Sequence, residues 1–147
     1  MVRLISIQEE DFSLDEALKH LSKSGTGGIA FFLGVVREGK DQRINEIFIE
    51  TYREAALKEL KRLREEAIHK FTLREAIIIH RIGKLRVGEN IVLIGTSASH
   101  RRDALRACDH IISQLKVRVP LWKKEITPKG ETWVTNTPAQ YSLLEAD

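Results

Sequence analysis

Apolar and polar residues change rhythm several times along this 147-residue chain, and each rhythm predicts an element. Residues 3–7 read as a short strand. SLDEALKHL follows, with Ser13 and Glu16 at capping-box spacing and Leu14, Ala17, Leu18 and Leu21 on one helical stripe. SGTGG, 24–28, reads as a flexible break. The almost unbroken apolar run IAFFLGVV, 29–36, predicts a strand buried on both faces. REGKDQR, 37–43, is a charged loop, and INEIFIETY, 44–52, has the composition of a strand.

The strongest helical pattern is EAALKELKRLREEAIHKF, 54–71, where Ala56, Leu60, Leu63 and Ala67 recur at three- and four-residue steps. AIIIHRIG, 76–83, and NIVLIGTSA, 90–98, read as strands joined by a turn at LRVGE. A long helix is expected from about Ser99 to Val119, stopping before Pro120. ETWV, 131–134, reads as a last short strand. Three helices and about six irregularly spaced strands make an α+β pattern, not a doubly wound sheet. One domain is expected over residues 1–134, with a polar tail over 135–147.

Composition narrows the class. A hydrophobic content of 42% and a charged content of 31% describe a globular chain. No apolar run reaches membrane-spanning length, and the first residues, MVRLISIQEEDF, lack the pattern of a signal peptide. A cytoplasmic setting is the expectation, and the single cysteine, Cys108, fits a reducing compartment. A formal charge of +3 favours neither nucleic acid nor a small anion, because 21 acidic residues dilute the basic ones.

Candidate chemistry gathers late in the chain. SASHRRDAL, 97–105, starts the long helix and crowds His100, Arg101 and Arg102 into its first turn. That end of a helix carries partial positive charge and favours anions, so the cations are opposed there unless an anion sits among them. Solvated arginines, one of them neutralised by Asp103, are the alternative. Ser99 is the expected N-cap.

Lys116 lies in line with Leu105, Asp109 and Ile112, at the edge of the apolar face. It is either a stem lying on apolar surface or a desolvated base. Lys123 follows the stiff Pro120-Leu121-Trp122 exit, where Trp122 is expected to anchor. Arg37 closes the apolar strand, at a boundary where site residues are common. Gly34 and Gly39 serve either a ligand's approach to the backbone or turns. His80 and Arg81 interrupt an apolar strand. The five histidines show no metal-ligand spacing with Cys108, which reads as buried and inert. Neither a Walker A loop nor GxGxxG is present, so no cofactor and no metal are expected.

Across nearly its whole length the chain resembles the large, catalytic subunit of molybdopterin synthase. FFLGVVR, IETYREAALKEL, HRIGKLRVGE, SASHRRDALRACDHIISQLKVRVPLWKKE and GETWV carry the resemblance, in the family's order and spacing. It implies an α+β fold of the α/β-hammerhead type. It implies a sulfurtransferase that turns cyclic pyranopterin monophosphate, precursor Z, into molybdopterin. The sulfur comes from a small ubiquitin-like partner with a Gly-Gly thiocarboxylate terminus, and the large subunit forms a homodimer within a heterotetramer. Neither nucleic acid nor membrane is an implied partner.

By the same resemblance Lys116 is the principal catalytic residue and Lys123 its companion. Arg37, His100 and Arg101 join both lysines in binding substrate. Ala55 departs from the family, which often has methionine there. The resemblance does not extend to roles for the tail. Two other classes, an anion- or RNA-binding module and an inactive regulatory scaffold, are separated from it by the reaction itself.

One physical constraint follows. Arg101 and Lys116 are fifteen residues apart on one expected helix, about 22 Å along its axis. A single pterin does not span that distance, so the expected pocket combines residues of two copies.

Overall fold

A computed structural model describes residues 3–38, 46–128 and 130–134. These form β1 (Ile5–Gln8), α1 (Leu14–Leu21), β2 (Gly28–Val35), β3 (Glu46–Thr51), α2 (Arg53–Phe71) and β4 (Leu73–Arg81). β5 (Gly83–Arg86), β6 (Asn90–Ala98), α3 (Arg101–Arg118), β7 (Leu121–Thr127) and β8 (Gly130–Val134) follow. The fold is α+β, with the strands in two four-stranded sheets.

The first sheet runs β1-β4-β6-β2, with β1 parallel to β4 and the other pairs antiparallel. Its centre is dry on both faces: residues 92–98 of β6 and 75–81 of β4 are all buried. On one face, Ala56, Leu60, Leu63 and Ala67 of α2 and Ala104, Ala107, Ile111 and Leu115 of α3 pack over Ile78 and Ile94. On the other, Ala17 and Leu21 of α1 cover Ile77, Ile79 and Leu93. Ser13 caps α1, its hydroxyl accepting from the Glu16 amide at 3.2 Å. Leu14 and Leu18, expected on the buried stripe, are exposed instead, because α1 touches the sheet only along its Ala17–Leu21 line.

The run 29–36 is a strand, but it is not buried on both faces as its composition suggests. β2 is the last strand of its sheet, and Phe31, Phe32, Leu33 and Val35 keep 37–48% of their surface. An apolar edge and an apolar centre have the same composition; only the position in the sheet separates them.

The second sheet runs β5-β3-β7-β8, antiparallel throughout. One face buries Ile47, Ile49 and Leu85 together with Val36. Ile82, Ile91 and Leu121 pack against this cluster and against the main core, joining the two sheets. β5 and β7 were not legible as strands: the first falls where a turn was expected, the second in the charged stretch after Pro120. The C-terminal tail and Gly39 lie outside the described residues.

Candidate active site

α3 positions most of the candidate chemistry. Its buried line, Ala104, Ala107, Cys108, Ile111, Ile112 and Leu115, holds it against the first sheet, and Thr96 donates its hydroxyl to Ala104 O at 2.7 Å. Leu105 and Asp109 lie outside that line and are exposed, so the stripe drawn through Lys116 is not the buried face. Lys116 still borders it, half-buried beside Leu115.

The N-terminal end departs from expectation. Its N-cap is His100, which makes no side-chain capping bond, not Ser99. The Ser99 hydroxyl is taken by Arg74, whose Nη2 donates to it at 2.9 Å. Arg74 thus joins exposed His100, Arg101 and Arg102 at this end, a contribution from 25 residues upstream that no local pattern signals. SGTGG is not merely a flexible break. A Cβ on Gly27 would lie 2.1 Å from Ser99 O, and one on Gly28 2.9 Å from Arg101 Cα. The glycines let the start of α3 sit against the beginning of β2.

At the other end, the backbone leaves α3 at Val119, and Thr51 donates its hydroxyl to Pro120 O as β7 begins beside β3. Lys123 lies opposite Ile49 of β3 and Val134 of β8, on the inner side of the second sheet. Trp122 points to the opposite side, exposed, with its ring edge-on to Tyr52 at 4.9 Å. The anchor at this exit is Leu121, which packs against both cores, rather than Trp122.

Arg37 directly follows Val36, which is buried in the cluster that holds Ile49 and Leu85. Arg37, Lys116 and Lys123 are therefore tied, through Val36, Leu115 and Ile49, to adjoining parts of the core. His100 and Arg101 are not with them: they stand at the far end of α3. Gly34 serves close packing within the sheet, since a Cβ there would meet Val92 Cγ1 at 2.7 Å.

The remaining candidates are structural. His80 is buried, its pKa pushed down to about 4 by desolvation, which its bond to Arg81 O only partly opposes. Burial, with the Asp109 charge behind it, pushes the Cys108 thiol up to about 11, so it is a neutral thiol at pH 7. Among the described residues, no group of three or more His, Cys, Asp or Glu could hold a metal ion, and no helix is long and apolar enough to cross a membrane.

Fold and site together define an α+β domain with two basic groups at opposite ends of one helix. The MoaE protein family model matches residues 7–118. The molybdopterin synthase catalytic subunit of Pyrococcus abyssi is 48% identical over 126 residues, 85% of each chain. The crystal structure of molybdopterin synthase from Staphylococcus aureus superposes with a TM-score of 0.87 at 31% identity, covering 92% of this chain and all of that one. A complex of subunits 1 and 2 of molybdopterin-converting factor from Helicobacter pylori shares the fold at a TM-score of 0.77 and 17% identity. The chain belongs to the MoaE family of molybdopterin synthase catalytic subunits, and it is an enzyme of molybdopterin biosynthesis.

Proposed function

We propose that the chain transfers sulfur from the thiocarboxylated tail of a small ubiquitin-like subunit to precursor Z, in a pocket completed by a second copy of itself. The partner reading is supported by the two-subunit composition of the Helicobacter pylori complex. Arg37, with His100 and Arg101 of the other copy, holds the phosphate. Lys116 and Lys123 stand where the tail meets the pterin. The thiocarboxylate sulfur bonds to a side-chain carbon of the pterin as that carbon's oxygen substituent leaves. Water then attacks the acyl carbon, its bond to sulfur breaks, and the partner's tail ends as a carboxylate with the sulfur left on the substrate as a thiolate. Lys116 either takes a proton from the attacking group or polarises the acyl oxygen; in the first role Lys123 lowers its pKa by like-charge repulsion.

The observation that carries the shared pocket is the layout of α3 and β2. α3 is continuous from Arg101 to Arg118, which keeps Arg101 and Lys116 about 22 Å apart in one copy. Gly28, at the start of β2, touches Arg101, whereas Val35, at its end, leads to Arg37. β2 is also a long apolar edge, the kind of strand that pairs with another chain. Two β2 edges paired antiparallel about a two-fold axis set Gly28 of one copy beside Val35 of the other. Arg101 of one copy then faces Arg37 of its mate.

Mixing Lys116→Ala with Arg101→Ala protein tests the sharing. Each mixed dimer has one intact site, so random assortment restores about a quarter of wild-type activity. No recovery in confirmed mixed dimers sinks it. The reaction itself is tested by adding thiocarboxylated partner and precursor Z and looking for molybdopterin.

A further inference from the structure

Arg81 is a buried arginine at the end of the apolar strand β4, and neither core packing nor the reaction described above accounts for it. Such a side chain is costly to bury unless its donors are used. They are: Nε and Nη2 donate to Glu9 O at 3.0 and 2.9 Å, and Nη1 to Asn90 O at 3.0 Å. Nη1 also meets the Glu89 carboxylate at 3.4 Å. The guanidinium thus ties the end of β1 to the start of β6 and to the turn before it.

That turn is itself fixed. Glu89 Oε2 accepts from the Arg86 amide at 2.6 Å, the Glu89 amide bonds Arg86 O at 3.0 Å, and Gly88 supplies a φ of +93. It then grips one further segment. Val36 N donates to Glu89 O at 2.9 Å, and Gly88 N donates to Val36 O at 2.8 Å. Val36 is the residue before Arg37, at the point where β2 has just ended.

We propose that Arg81 and Glu89 are positioning residues for Arg37: the guanidinium fixes the 86–89 turn, and the turn's backbone clamps Val36. The inference rests on reading Arg37 as a phosphate ligand. It identifies the step that aims the cation, since β2 is held by a strand on one side only and Val36 lies past its last ladder pair, Val35 with Asn90. Arg37 extends from a backbone pinned on both sides of the Val36 peptide.

Glu89→Ala is the first test, because its side chain is partly exposed and its loss leaves the core intact. The KM for precursor Z should rise about tenfold with kcat within about twofold of wild type. Combined with Arg37→Ala, it should add little to the rise that Arg37→Ala causes alone, since both act through one group. Glu89→Gln, which keeps an acceptor for the Arg86 amide, should fall between. The Val36 and Gly88 amides should exchange hydrogen faster in Glu89→Ala while those of β6 do not, a local change that general destabilisation does not produce. Arg81→Lys should show the same pattern more strongly.

Multiplying KM effects, or unchanged exchange at Val36 and Gly88, overturns the proposal. An unchanged KM in Arg37→Ala alone overturns the reading of Arg37 instead. The exchange measurement then still decides whether Arg81 and Glu89 fix this segment.

Discussion

The two sheets have four strands each and very different surroundings. The first is covered on both faces, and β4 and β6 have almost no exposed residue. The second is covered on one face only; Tyr52, Trp122 and Trp133 lie exposed on or beside its outer side. Lys124 sits there too, 4.9 Å above the Trp133 ring and bonded to Glu131 at 2.8 Å. The first sheet supplies cohesion. The second carries Lys123 and, through Val36, steadies Arg37. On the proposed roles, stability rests mainly on the first sheet and the chemistry on residues at its rim and its junction with the second, and substitutions should separate the two.

The largest effect expected is on turnover, at the junction of the two sheets. Lys116→Ala should lower kcat by about 10²–10⁴-fold, the range typical of a lost acid–base group. Its thermal midpoint should stay near wild type, because Lys116 only borders the buried face. Comparable loss of stability and activity would erase the proposed division. Leu93→Ala is the converse. Leu93 of β6 is fully buried on the face of the first sheet that α1 covers, and its truncation should cost about 2–5 kcal/mol in denaturant unfolding. Trp133→Ala, on the exposed side of the second sheet, should cost well under half of that. Equal losses would mean that the second sheet contributes cohesion after all.

The sequence made this division only partly legible. Ala56, Leu60, Leu63 and Ala67 were readable as one buried line because a helix repeats every 3.6 residues, and all four are fully buried. β6 was readable to its ends, since apolar residues on both faces bounded by Asn90 and Ser99 leave little choice. β7 was not: LWKKEIT alternates a half-covered inner face with an outer face, and its charges mask the period. β2 showed the opposite failure, an apolar run that signalled a buried centre and proved to be an edge. The candidate residues were visible as residues, but their roles came from family resemblance. Their grouping depended on features no local pattern gives, such as Arg74 reaching Ser99 and the glycines that seat α3.

Within the first sheet, His80 makes the cohesion pH-dependent. Its pKa is about 4 in the fold and near 6.5 when unfolded. Between those values the unfolded chain binds a proton that the folded chain does not, so stability falls as pH falls. Full stability is present above pH 6.5, and about 3 kcal/mol is lost by pH 4. Denaturant midpoints measured across this window should show the slope, and His80→Gln, uncharged throughout, should flatten it. A slope that survives the substitution would transfer the effect to other groups.

The smallest effect concerns Cys108, the only thiol in the chain. A sulfur-transferring enzyme invites the idea that its cysteine carries sulfur as a persulfide. The thiol is the wrong species for that. It is buried on the α3 line that packs against the first sheet, 3.8 Å from Ile94 O, with its pKa raised to about 11. At pH 7 the thiolate, the nucleophilic form, is about one part in 10⁴, and the surrounding side chains exclude a tail that would have to reach it. Cys108→Ser should therefore keep kcat within about twofold and lower stability by about 1 kcal/mol, from a hydroxyl in an apolar setting. Alkylation of the native protein at pH 7 should be far slower than that of the denatured chain. Loss of turnover in a folded Cys108→Ser protein would bring the buried face of α3 into the chemistry, where the proposed roles place none.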